Sequence, residues 1–214
     1  MANATAYRVY GGESAEDRVQ KRQEQFLDAG LQLFGTVGYK GTSVRALCRE
    51  AKLTDRYFYE SFESVEDVLI GVYERETQRI VIEVLQAIGN PTEGASIEVV
   101  ARPALTALFK LTQNPHVCRT VWFETLGVSD RVNQVYQSTT HEFGEMLLLM
   151  IRNLYPAVRT NTVKDELLVM GIVGAINQTV MTWYISGYTH CIDDLVDVNV
   201  MLIEGVAQRM QTPA

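Results

Sequence analysis

The sequence predicts an all-α protein: an N-terminal helix-turn-helix unit of three helices, followed by a larger helical domain. Three observations predict it. Apolar residues recur in steps of three and four along most of the chain. Proline occurs only five times, and no run of alternating polar and apolar residues bounded by hairpin turns breaks the pattern. Hydrophobic residues make up 47% and charged residues 21% of the 214 positions. That is an ordinary core-forming composition and excludes a mainly disordered chain.

Residues 1–14 lack an apolar stretch and read as a flexible tail without a secretory signal. A first helix is expected over 15–37, with Phe26, Ala29, Leu33, Phe34 and Val37 on its apolar side and Gly38 as its C-terminal stop. A short second helix covers 43–50, where Val44, Leu47, Cys48 and Ala51 share one face. After a turn at 51–53, Thr54 is placed to cap a third helix ending near Ser61. Ser64 caps a long fourth helix to about Ile88, with Asp67 as the return partner of a capping box. Further helices read as 93–112, 115–126, 130–154, 161–188 and 193–211, with Pro103 expected to kink the first of them. The domains are therefore expected at 15–63 and 64–214. The three cysteines, Cys48, Cys118 and Cys191, are odd in number and far apart, which points to free thiols in a reducing, cytoplasmic setting.

Charge is unevenly divided. Residues 1–64 carry nine Lys/Arg and nine Asp/Glu, so the whole net charge of −7 falls on 65–214. The N-terminal unit can approach a polyanion that the rest of the chain would repel. Charge is also absent from Leu167 to Ile192, long enough to span a bilayer. Asn177, Gln178, Thr179, Thr182 and Ser186 interrupt that run. Such polar groups are costly in lipid, so a buried or interface helix is expected there and no membrane partner.

Two short helices joined by a turn of about three residues form a helix-turn-helix, whose later helix lies in the DNA major groove. Thr42 and Ser43 place hydroxyls and free N–H groups at a helix start suited to phosphate, and Lys40, Arg45 and Arg49 add positive charge beside it. Arg56 can present a fork to guanine or meet phosphate, and Tyr59 can donate its hydroxyl to phosphate. Asp55 can accept from a cytosine amino group or complement the helix dipole.

The stretch from Leu33 through Gly35, Gly38-Tyr39-Lys40-Gly41-Thr42-Ser43 to Leu47-Cys48, then Ala51-Lys52-Leu53-Thr54, Tyr57-Phe58-Tyr59 and Phe62, resembles the DNA-binding domain of TetR-type transcriptional regulators. The resemblance covers about residues 15–70 densely; beyond that it is architectural only. It implies a homodimeric regulator, usually a repressor, released from operator DNA by a small ligand. Thr42 and Ser43 would then lie at the DNA backbone and Thr54 at the cap of the recognition helix. Asp55, Arg56 and Tyr57 would face bases or phosphates, and Tyr59 would be the phosphate-contacting tyrosine. Many members have a small residue where Arg56 stands, Thr or Ala at Tyr57, and Lys at Val65.

Composition points to a small-molecule site in the second domain. Arg119, Trp122, Phe123, Tyr136, Asn177, Gln178, Met181 and Trp183 combine aromatic walls with a few polar groups. Two helices, with Gly171, Gly174 and Ala175 on one and Leu195, Val198, Leu202 and Val206 on the other, are expected to form a homodimer bundle. Competing chemistry is weak. Asp193-Asp194-Leu195-Val196-Asp197 matches a single Mg²⁺-type acidic motif but opens a helix, where acids complement the dipole. His116 with Cys118, and His190 with Cys191, fit no structural zinc spacing. No nucleophile elbow, Walker loop or dinucleotide fingerprint occurs, so neither a cofactor nor enzymatic activity is expected. The sequence reading is a ligand-responsive regulator, most simply a repressor. The alternatives are an activator or partner-controlled regulator, and a helical enzyme that retains the N-terminal fold.

Overall fold

A computed structural model describes residues 14–92, 94–155 and 162–211. Apart from Ser14, the tail expected over 1–14 lies outside them, as do Pro156 and the helix starts expected at 93 and 161. The described residues form nine helices and no strand: α1 (Ala15–Thr36), α2 (Val44–Ala51), α3 (Asp55–Ser61), α4 (Val65–Ile88), α5 (Ile97–Thr112), α6 (Pro115–Phe123), α7 (Asp130–Leu154), α8 (Thr162–Ile185) and α9 (Ile192–Gln211). Helix α5 continues through Pro103.

Side chains set most of the starts. Ser14, Ser43, Ser64, Ser96, Asn114 and Ser129 each accept a backbone N–H of the first turn that follows. At Ser64 the return partner Asp67 also accepts from the serine hydroxyl at 2.8 Å and from Arg131 of α7, so one carboxylate ties two helices. Thr54 occupies the N-cap of α3, but its side chain makes no capping bond, contrary to expectation. The turn between α2 and α3 closes through Lys52 in the left-handed region at φ 56°, which lets Leu53 N–H reach Cys48 O at 3.0 Å.

Two cores meet along α4. Phe26, Phe34, Leu47 and Phe58 are fully buried around α1–α3, closed by Val68, Leu69 and Val72 from the first turns of α4. The rings of Phe26 and Phe58 meet edge to face at 5.4 Å. One residue further, Tyr73 turns to the second core, joined by Ile80 and by α5, α6, α8 and α9 through Phe109, Trp122, Trp183, Val196 and Val200. A small third cluster, Leu148, Ile151 and Val169, fastens α7 to α8. Val37, expected on the core side of α1, is instead exposed beyond the helix end.

Helix α8 is long and apolar enough to cross a membrane by length and composition. It packs on the second core through Ile172, Val180 and Trp183 and keeps an open side with Leu167, Gly171, Gly174 and Ile185. On α9 the open side is Val198, Met201 and Leu202. Two residues expected on that side belong elsewhere: Leu195 is buried in the second core and Val206 packs against it. The four-residue steps of an amphipathic helix do not distinguish an inner face from an outer one when both are apolar.

Candidate nucleic-acid interface and ligand cavity

The helix-turn-helix presents an exposed cationic edge. Lys40, Arg45, Arg49, Lys52 and Arg56 are all exposed. The hydroxyls at the start of α2 are already engaged: Thr42 donates to Gly38 O at 2.8 Å, and Ser43 accepts from Ala46 N–H at 3.3 Å. Thr42 thus spends its hydroxyl proton within the loop, while the Ser43 O–H and the backbone N–H groups of the helix start remain available as donors.

On α3, Arg56 projects with 82% of its side chain exposed, its Nε donating to Glu60 one turn on at 2.9 Å. Glu60 also faces Arg22 of α1 at 3.7 Å, and the Arg22 guanidinium lies 4.5 Å over the ring of Tyr57. Tyr57 is therefore half-buried against α1, not one of the open residues expected on this face. Tyr59 is open, 63% exposed, with its ring against the edge of Phe58. Asp55 is exposed at the first turn. Burial, then the hydrogen bond and negative charge of Asp55, push the buried Cys48 thiol up to about 11, so it remains protonated at neutral pH.

The second domain encloses an apolar cavity of about 160 Å³ between α4, α5, α6, α7 and α8. Tyr73, Thr77 and Ile80 of α4, Leu105 of α5, Trp122 of α6, Tyr136 and Phe143 of α7, and Asn177 of α8 line it, and no charged side chain does. Trp122 donates its indole N–H to Asn177 Oδ1 at 2.9 Å, which fixes both in the wall. Three of the eight residues expected in a ligand site, Trp122, Tyr136 and Asn177, line this cavity.

The other five do not, each for a local reason. Trp183 is core: it meets Phe109 and Tyr188 edge to face and donates to His190 O at 2.9 Å. Phe123 packs on Tyr184 at 5.1 Å. Gln178 is exposed on the open side of α8 and donates to Thr182. Met181 packs against the second core. Arg119 points the other way, toward α1. The aliphatic lining on α4 and α5 is missing from the sequence reading because nothing separates it in type or spacing from core residues.

Arg119 instead builds a junction between the two units. Its Nε donates to Glu124 Oε1 at 2.9 Å, and its Nη1 donates to Thr36 O at the end of α1 at 2.6 Å. The second oxygen of Glu124 accepts from the Tyr39 N–H at 2.8 Å, in the loop before α2. Two glycines allow the approach. A Cβ at Gly35 would stand 2.5 Å from His116 Cα, and at Gly38, where φ is +80°, it would meet Glu124 at 2.9 Å. Helix α6 thus carries Trp122 in the cavity wall and grips the helix-turn-helix.

The acidic run at 193–197 has a structural use, because Asp197 accepts from Arg102 of α5 at 2.7 Å. Among the described residues no group of three or more His, Cys, Asp or Glu is placed to hold a metal ion. All three cysteines are free thiols, Cys48 and Cys118 buried and Cys191 exposed.

A helix-turn-helix fused through one long helix to an all-helical domain with its own cavity defines the architecture of TetR-like transcriptional regulators. Residues 26–72 match the family model of the bacterial regulatory proteins of the tetR family, so the N-terminal unit is similar to the helix-turn-helix domain of that family. No curated protein matches the chain in sequence. Among solved structures, the fatty acid degradation regulator FadR from Bacillus halodurans superposes with a TM-score of 0.74 at 19% identity, over 86% of this chain and 95% of that one. A putative transcriptional regulator from Pseudomonas aeruginosa PAO1 gives 0.72 at 18% identity, over 91% and 97%. FadR from Bacillus subtilis, solved in complex with stearoyl-CoA, gives 0.73 at 17% identity, over 84% and 96%.

Proposed function

We propose that this protein is a homodimeric, ligand-responsive repressor of the cytoplasm that leaves a palindromic operator when a small apolar molecule fills the cavity of its second domain. The observation that carries this reading is the double duty of α6. Trp122 forms part of the cavity wall, and Arg119, together with Glu124 just past the helix end, holds Thr36 and Tyr39 at the base of the helix-turn-helix. Helix α4 gives a second route, because Val72 packs in the first core and Tyr73 lines the cavity. No glycine or proline separates α3 from α4. Displacement of either helix therefore changes how the recognition helices are presented. Arg56 and Tyr59 on α3, with the start of α2 and its neighbours Lys40 and Arg45, form the face offered to DNA. The open sides of α8 and α9 form the dimer contact. The Bacillus subtilis FadR complex with stearoyl-CoA supports an apolar effector in a fold of this kind.

The test is a gel shift on the DNA upstream of the protein's own gene, with decanol as the first effector. Retarded DNA that decanol releases supports the proposal. Retarded DNA indifferent to every apolar effector, or no retardation at all, overturns it.

A further inference from the structure

The cationic edge of the helix-turn-helix is not uniform. Lys40, Arg45, Arg49 and Lys52 are exposed and take no carboxylate partner among the described residues, whereas Arg56 takes one, Glu60. That carboxylate stands on the face offered to a polyanion, where phosphates repel it. Two arginines hold it there. Glu60 Oε1 accepts from Arg56 Nε at 2.9 Å, and its Oε2 faces Arg22 Nη2 of α1 at 3.7 Å. Arg22 is itself fixed: only 20% of its side chain is exposed, and its guanidinium lies 4.5 Å over the Tyr57 ring. An isolated exposed pair four residues apart holds a long side chain weakly. Here the carboxylate is anchored from α1, and the constraint passes on to Arg56.

The hydrogen bond to Glu60 uses Nε alone. Nη1 and Nη2 of Arg56 take no partner among the described residues. Glu60 therefore offsets much of the guanidinium charge, on which attraction to phosphate depends. It leaves intact the two parallel N–H groups at the end of the fork, which match the O6 and N7 acceptors of a guanine. The unpaired cations around it are the better phosphate partners.

We infer that Glu60 is a positioning residue that commits Arg56 to a guanine in each half-site, holding Nε so that Nη1 and Nη2 meet the major-groove edge already oriented. This rests on the DNA-binding reading above and adds to it which base is read and what aims the side chain.

The experiment uses the full-length protein to select duplexes from a randomised library, with R56K and E60A in parallel. R56K keeps the charge without the fork. The unsubstituted protein is expected to enrich a guanine at symmetry-related positions of the two half-sites, and both variants to lose that preference. That guanine is then replaced by 7-deazaguanine, which lacks the N7 acceptor. In anisotropy titrations the replacement is expected to weaken the unsubstituted protein about tenfold and E60A about twofold or less. E60A is also expected to bind scrambled DNA at least as tightly as the unsubstituted protein, because a negative charge has left the face. A merely structural role for Glu60 would instead weaken E60A on every sequence alike, and that result overturns the positioning role. So does a full 7-deazaguanine penalty in E60A. A guanine preference that survives R56K overturns the assignment of the base and makes Arg56 a phosphate contact. Enrichment of no sequence by the unsubstituted protein overturns the DNA-binding reading itself.

Discussion

Arg56 and Tyr59 are two side chains of α3 that stand well out into solvent, 82% of the Arg56 side chain and 63% of Tyr59 being exposed. They differ in what they can read. A guanidinium fork discriminates a base edge, while a phenol hydroxyl meets a phosphate that every sequence has. Arg56→Ala is expected to weaken operator binding by ~1–3 kcal/mol and relax preference at one base pair. Tyr59→Phe is expected to weaken binding evenly across sequences. A fluorescence-anisotropy titration of each variant against operator and scrambled DNA separates the two effects. Asp67 offers a residue-scale test of stability. Burial raises its carboxyl, but Arg131 and Ser64 together outweigh this and hold it below the usual carboxylate range. A lowered folded value means its contribution is complete above the unfolded pKa of ~3.9 and is lost as the pH falls through the folded value. Asp67→Asn is therefore expected to lower the melting temperature at pH 7, and the difference from the unsubstituted protein to shrink as the pH falls through the folded value.

At the scale of elements, the helices were legible in the sequence and the faces were less so. Serine caps, Gly38 and the three- and four-residue steps locate α1, α2 and α4 to within a residue or two, because each is a local signal in consecutive residues. Which side of a helix meets which neighbour is not local. Tyr57 is drawn onto α1 by Arg22, thirty-five positions away, and Arg119 is drawn to Thr36 by a carbonyl eighty-three positions away. Neither residue type nor spacing carries that information. The same holds for the cavity: Trp122 and Asn177 are an aromatic and an amide in apolar surroundings and stand out, whereas Ile80 and Leu105 do not. The α1–α6 contact gives an element-scale prediction. At Gly35 the neighbour is the backbone of α6, not a flexible side chain, so Gly35→Ala must push the helices apart. The expected loss is ~1–3 kcal/mol, read by thermal or urea unfolding. Glu124→Ala removes the partner of Arg119 and of the Tyr39 N–H without adding bulk. It is expected to leave operator affinity near that of the unsubstituted protein while blunting release by effector, seen as a smaller shift in the DNA-binding curve at saturating decanol.

At the scale of the whole molecule, two half-sites on DNA require two recognition helices at a fixed separation, so dimerisation and repression are one problem. The open sides of α8 and α9 leave Leu167, Ile185, Val198, Met201 and Leu202 to solvent in a single chain. A Cβ at Gly171 or Gly174 would touch nothing within 4 Å, so a partner helix can come close there. Light scattering at micromolar concentration is expected to give twice the 24.1 kDa of one chain. Leu202→Asp is expected to shift the mass toward the monomer and abolish operator binding with it. In the proposed dimer, an effector that moves α4 and α6 is expected to alter the distance between the two recognition helices, and a coupling of ~1–3 kcal/mol would suffice for regulation. Coupling between binding sites is reciprocal, so operator DNA must weaken effector binding by the same factor by which the effector weakens DNA binding. Calorimetric titration of decanol into free and operator-bound dimer measures this directly. A lower affinity in the bound form, equal in factor to the loss of DNA affinity, is the expected result. Identical affinities would mean that the cavity and the DNA-reading face are not coupled, whatever occupies the cavity, and a higher affinity on DNA would make the occupant a co-repressor.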